Sequence, residues 1–267
     1  MKKLSILSFA LAAVLLTACG GKKSAEAAAD ADTLKSYDQQ MIEASIKAYI
    51  DSIADEIGRL KQPAFVQDNH GGLTLTKAEK LVKPTYLLQP ALADSAATLA
   101  EKYRVLGALG IDKRIANLYE MPVDDYSKAI AKLLADISDP SFKAVANGST
   151  LLETTSTLYD AMDENGRINF FWQMAAATLV EELYLITQNS DKLLSVVDDE
   201  AASNLTFRLV LITDAMNRLS QYDPDVKPIV KAIAPLETLN ATTVGELKAQ
   251  LREAEDKIKA ARETIIN

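Results

Sequence analysis

The sequence predicts an all-α fold, a single bundle of about seven to nine helices. Two observations carry this. Apolar residues recur at spacings of three and four along most of the chain, and no period-2 run of strand length interrupts them. The composition, 48% hydrophobic but only 6% aromatic, with 10 Gly and 8 Pro in 267 residues, suits helices around a sizeable core better than sheets. With 29 basic against 37 acidic side chains the formal net charge is −8, which polyphosphate repels, so no nucleic-acid partner is expected.

The chain opens with Met1-Lys2-Lys3 and an apolar stretch from Leu4 to Leu16, the length of a signal-peptide core and too short for a membrane span. Leu16-Thr17-Ala18-Cys19-Gly20 resembles the bacterial lipobox, whose Cys receives a diacylglycerol before cleavage. Residues 1–18 therefore read as a signal peptide that is removed, and Cys19 as the lipidation site, its acyl chains of the palmitate class anchoring the body to a membrane without a transmembrane helix. Residues 19–35, rich in Gly, Ala and acidic residues, read as the lipidated tether, and 36–267 as the all-helical domain. Surface-exported lipoproteins of Bacteroidetes carry acidic residues directly after the lipidated Cys. Here Gly20, Gly21, Lys22 and Lys23 follow it, so the expectation is an outer-membrane lipoprotein facing the periplasm.

The first helix spans Tyr37 to about Leu60, with Ile42, Ile46, Tyr49, Ile53, Ile57 and Leu60 on one face and Pro63 closing it. Gln67 to Gly72 is a loop by composition, and Pro84 and Pro90 keep the next stretch irregular. Helix resumes near Asp94 and runs to the Gly107 and Gly110 region, with a further turn or two from Ile111 to Tyr119. Asp124 or Asp125 is placed to cap the next helix, ended by Asp139-Pro140, and Ser149 or Thr150 to cap the one that stops at Asn165-Gly166. From Arg167 to Gln188 the sequence is apolar almost all round, which marks a central, covered helix. Asp198 to Leu219 is another strong helix, and Pro224, Pro228 and Pro235 punctuate a shorter one. The last, about Thr242 to Ile266, sets Val244, Leu247, Leu251, Ala254, Ile258, Ala261 and Ile265 on a heptad seam. That seam packs either on its own bundle or on an envelope protein partner.

Candidate chemistry is sparse. One Cys and one His exclude zinc, haem and iron–sulfur sites built from several such ligands, so neither metal nor cofactor is expected. His70, beside Gly71-Gly72, reads as a solvated loop residue. No phosphate loop, nucleophile elbow or zinc-protease pattern occurs, so no catalytic residue is assigned. What stands out is charge inside apolar helices: Glu181 and Glu182 in the central helix, and Arg208 in the next long one, form a candidate polar cluster. A buried Glu182–Arg208 pair is the first reading. A ligand pocket near Trp172 or a carboxylate acid/base site are the alternatives.

The Asn165-Gly166-Arg167 turn followed by Glu182-Leu183-Tyr184-Leu185 resembles a pattern in helical lipoproteins of the Bacteroidetes type. The resemblance implies an anchored helical body and no particular activity. Together these readings predict a lipid-anchored envelope protein with a binding or scaffolding role; a carboxylate-dependent envelope hydrolase and a small-molecule binding module are the alternatives.

Overall fold

The computed structural model describes residues 37–67, 69–142 and 155–266, and no strand occurs among them. The expected signal peptide, Cys19, the expected tether and the expected Ser149 and Thr150 caps lie outside these residues. Twelve α-helices run in order among the described residues: α1 (Tyr37–Arg59), α2 (Lys77–Leu81), α3 (Leu92–Ser95), α4 (Leu99–Leu118), α5 (Asp124–Ile137), α6 (Thr155–Glu164), α7 (Ile168–Gln188), α8 (Ser190–Leu193), α9 (Asp199–Leu219), α10 (Lys227–Ile233), α11 (Val244–Glu253) and α12 (Glu255–Ile266). The count exceeds the expected seven to nine. The extra helices α2, α3 and α8 have only four or five residues, too short for a 3.6-residue period to register.

The long helices lie where their apolar faces dictate. α7 is the centre: α4 packs along one side, with α9, α12 and α10 on others, while α5 covers α4 and α1 bridges α6 and α9. Trp172, Leu179, Val180, Leu183, Leu185 and Ile186 of α7 are completely enclosed, as its all-round apolar sequence requires. α4 begins at a capping box in which Thr98 and Glu101 satisfy each other's backbone amides, and it runs unbroken through both glycines. The expected interruption at Gly107 and Gly110 is therefore absent. Gly107 instead lets α4 approach α7: a Cβ there would stand 2.5 Å from Thr178 Oγ1 and 2.9 Å from the Met174 carbonyl oxygen.

Three further expectations are corrected. Neither Asp124 nor Asp125 caps α5; Val123 holds the cap position and both acids sit in the first turn, where they complement the helix dipole. The C-terminal helix is two helices, broken at Ala254. His70 is buried, with a backbone φ of 52° and its Nδ1 3.2 Å from the Phe65 carbonyl oxygen, because its turn packs back against the Ala64–Val66 turn instead of facing water. The Asn165-Gly166 stop is realised as read. Gly166, at φ 65°, gives its amide to Asp163 and Arg167 gives its own to Met162 at 2.7 Å, the two closing bonds of a Schellman motif.

The heptad seam finds its partner inside the chain. Leu247, Leu251, Ala254, Ile258, Ala261 and Ile265 are all buried in the bundle core, where α11 and α12 meet α7, α10 and α4. Val244, at the start of the seam, is only half-buried.

Candidate functional site

The two glutamates of α7 are both fully buried, yet they belong to different networks. Adjacent positions on a helix point about 100° apart. Glu182 therefore faces α9 while Glu181 faces α12 and α4.

On the first side Glu182 Oε2 accepts a hydrogen bond from Arg208 Nη2, and Arg208 Nη1 donates to Gln62 Oε1 beyond the end of α1. The pair expected from the sequence is thus formed. Burial pushes the Glu182 carboxyl up from its ordinary range, and the Arg208 guanidinium opposes that shift. Glu182 Oε1 and Arg208 Nε have no hydrogen-bond partner within the protein. A cavity of about 40 Å³ lies beside Arg208, walled by Ile57, Leu158, Phe171, Met174 and Thr178 with Arg208 and Gln62 at one side. That volume admits no more than a few water molecules.

On the second side Glu181 departs from the predicted cluster. Arg262 of α12 donates Nε to Oε2 at 2.7 Å and Nη2 to Oε1 at 2.8 Å, a bidentate grip, and its guanidinium lies over the Tyr184 ring at 4.0 Å. Asp112 of α4 meets the same carboxylate. Its Oδ2 accepts the Leu88 amide at 2.6 Å, while Tyr126 of α5 donates to the Leu88 carbonyl at 2.8 Å, so both backbone groups of that residue are held by side chains. Arg262 Nη2 also reaches the Tyr86 carbonyl at 3.2 Å. This network clamps the irregular segment between α2 and α3 to the core, where it would otherwise bury unpaired backbone.

Two carboxyls and one guanidinium share this enclosure, which disfavours ionisation of both carboxyls together. Burial, then the neighbouring Glu181 charge, holds the Asp112 carboxyl well above its ordinary value. A protonated Asp112 can donate to Glu181, which gives a role to Oδ1, otherwise without an acceptor-type bond. Burial also raises Glu181, with Arg262 and the Asp112 hydrogen bond working against it.

Neither Asp112 nor Arg262 was singled out in the sequence. The signal was present for Asp112, which continues the stripe of Val105, Ala108, Leu109, Ile115 and Ala116 on the buried face of α4. Arg262 follows Ala261 on the edge of the heptad seam, a place where a long side chain usually snorkels to water.

Chemically, a proton-sharing carboxyl pair is the raw material of acid/base catalysis. Here both carboxyls are at 0% exposure and neither lines the cavity beside Arg208 or the open clefts at α1 and between α3 and α5. Among the described residues no group of three or more His, Cys, Asp or Glu could hold a metal ion, and no described helix is long and apolar enough to cross a membrane. No protein-family model, curated protein or solved structure matches the chain.

Proposed function

We propose that the chain is a lipid-anchored protein of the bacterial cell envelope, its helical body facing the periplasm and serving as a binding or scaffolding module without catalysis of its own. The lipobox at Leu16 to Cys19 supports the anchor, as does the likeness to helical lipoproteins of Bacteroidetes. The observation that carries the non-catalytic reading is the fate of the buried carboxyls. Glu182, Glu181 and Asp112 are each consumed by a partner that the fold needs, and substrate has no path to them in the described clefts. An acid/base site needs a carboxyl within hydrogen-bond reach of substrate.

The test has three arms. Replacing Cys19 with Ser should release the protein from the membrane fraction and abolish labelling by a palmitate analogue; retention of the variant together with an unlabelled wild type would overturn the anchor. The purified protein, incubated with glycan, peptide and ester panels, should turn over none of them. Turnover lost in Glu181→Gln or Glu182→Gln would replace the binding reading with an envelope hydrolase. Protease added to intact cells should spare the body if it faces inward.

A further inference from the structure

One side of α9 is buried, with Ala202, Leu205, Leu209, Ile212 and Met216 turned into the bundle, and the other side carries a pattern of its own. Phe207 and Val210 are 43% and 42% exposed, and Leu211 beside them is half-buried. Glu200, Asn204, Phe207, Leu211, Asp214 and Arg218 follow one another on this outer side at spacings of four, three, four, three and four. That is the heptad spacing, which keeps a stripe straight along a helix so that a second helix can lie on it.

The stripe is its own complement when a copy is laid on it antiparallel. About a two-fold axis at the level of Leu209, Glu200 meets Arg218, Asn204 meets Asp214 and Phe207 meets Leu211, and each pairing occurs twice. Carboxylate then faces guanidinium at both ends, an amide donor faces a carboxylate inside them, and apolar faces apolar at the centre. A parallel copy would set Glu200, Asp214 and Arg218 each against its own like charge. Within the chain the end groups are loosely committed: Lys61 Nζ is 3.4 Å from Glu200, and Arg218 Nε is 3.4 Å from Asp214 with no hydrogen-bond partner within the protein. Tyr49 of α1 steadies one end, donating to Asp214 at 2.7 Å and lying under the Arg218 guanidinium at 3.6 Å. The net charge of −8 opposes association, but at physiological salt it is screened beyond about 8 Å, so the groups that face each other across the contact decide it.

We propose that the outer face of α9 is a contact for a second copy of this chain, laid antiparallel, with Phe207 and Leu211 at its centre and a Glu200–Arg218 pair at each end. The inference goes beyond the binding or scaffolding reading and does not depend on the lipid anchor. Heptad stripes pack at a crossing angle of about 20°, which lets the two helices touch along most of their length. α9 has 21 residues and is about 30 Å long, and one helix laid on one helix buries less than the roughly 800 Å² per partner of a standard interface, so the pair is a reversible one.

The test is disulfide trapping of the full chain in intact cells under mild oxidation. Asn204→Cys combined with Asp214→Cys should give a linked dimer at least about fivefold more than either single variant, because the pairing brings 204 of one copy against 214 of the other while like positions stand about 15 Å apart along the axis. The same separation prevents a link within one chain, and the wild type, whose single Cys is Cys19, sets the background. Adding Phe207→Glu, which puts a carboxylate into the apolar centre, should cut the yield at least about fivefold. The purified variants should keep the wild-type melting temperature, since all three positions lie on the outer face; if Asp214→Cys lowers it through loss of the Tyr49 contact, Glu200→Cys with Arg218→Cys reads the same register. Single variants that link as well as the double variant would overturn the antiparallel register. Links to a different protein would overturn the second copy as the occupant. A folded double variant that forms no dimer, or a yield unmoved by Phe207→Glu, would overturn the contact itself.

Discussion

Arg262 holds both oxygens of Glu181, at 2.7 and 2.8 Å, across 81 residues of sequence, and so fastens the last helix to the central one. The guanidinium is mostly enclosed and Glu181 is wholly so. Burial works against the charge on Arg262, but Glu181 more than offsets it, and the pKa of the arginine stands above its ordinary value. Removing one member of such a pair strands the other. Arg262→Met should cost about 3–5 kcal/mol in urea unfolding, and Glu181→Gln on that background should recover part of the loss. If Arg262→Met changes stability by less than about 1 kcal/mol, the clamp is not what holds α12.

The proton on Asp112 gives stability a pH dependence of definite sign. Its folded pKa lies above the unfolded value of 3.8, so the stabilising contribution of the neutral, hydrogen-bonded carboxyl is complete below that value and is lost as pH rises toward the folded pKa. Asp112→Asn keeps the Leu88 and Glu181 hydrogen bonds without a titratable group. Relative to this variant, the wild type should lose about 1.4 kcal/mol per pH unit above about pH 4, up to the folded pKa. Parallel stability curves for the two proteins between pH 4 and pH 9 would show that Asp112 does not carry the proton.

Glu182 and Arg208 make the same kind of test at an independent place. Glu182→Ala and Arg208→Ala should each destabilise by about 3–5 kcal/mol, and the double variant by clearly less than their sum. Gln62→Ala, removing only a neutral partner of Arg208, should cost about 1.5–3 kcal/mol. Additive effects below 1 kcal/mol would contradict the burial seen at this pair.

The two glycines of α4, one turn apart, should respond to alanine with opposite signs. Gly107→Ala pushes a methyl against the Met174 carbonyl and the Thr178 hydroxyl on α7 and should destabilise by about 1–3 kcal/mol. Around Gly110 a Cβ meets nothing within 4 Å, so Gly110→Ala should stabilise by about 0.5–1 kcal/mol through helix propensity alone. Thermal unfolding of the two variants side by side checks both.

The helices themselves were legible because their causes are local. Apolar spacing marked Tyr37 to Arg59, Ile168 to Gln188 and Asp199 to Leu219 to within a residue or two, and Gly166 marked a stop through its own backbone freedom. Even the pairing of Glu182 with Arg208 could be read, because a charge inside an apolar helix must find an opposite one. The partner of Glu181 could not. It depends on which helices surround α7 and at what rotation, and that is set by the summed packing of many side chains, not by any residue near Glu181 in sequence. The same cause hid the burial of His70, the proximity of Asp112 to a second carboxyl and the internal use of the heptad seam. By itself the sequence determined an all-helical body with one fully apolar centre, since helix formation and amphipathicity are properties of short segments. Which polar groups that body would enclose together, and which apolar face it would leave open along the outer side of α9, only the tertiary structure decided, because those are contacts between segments tens to hundreds of residues apart.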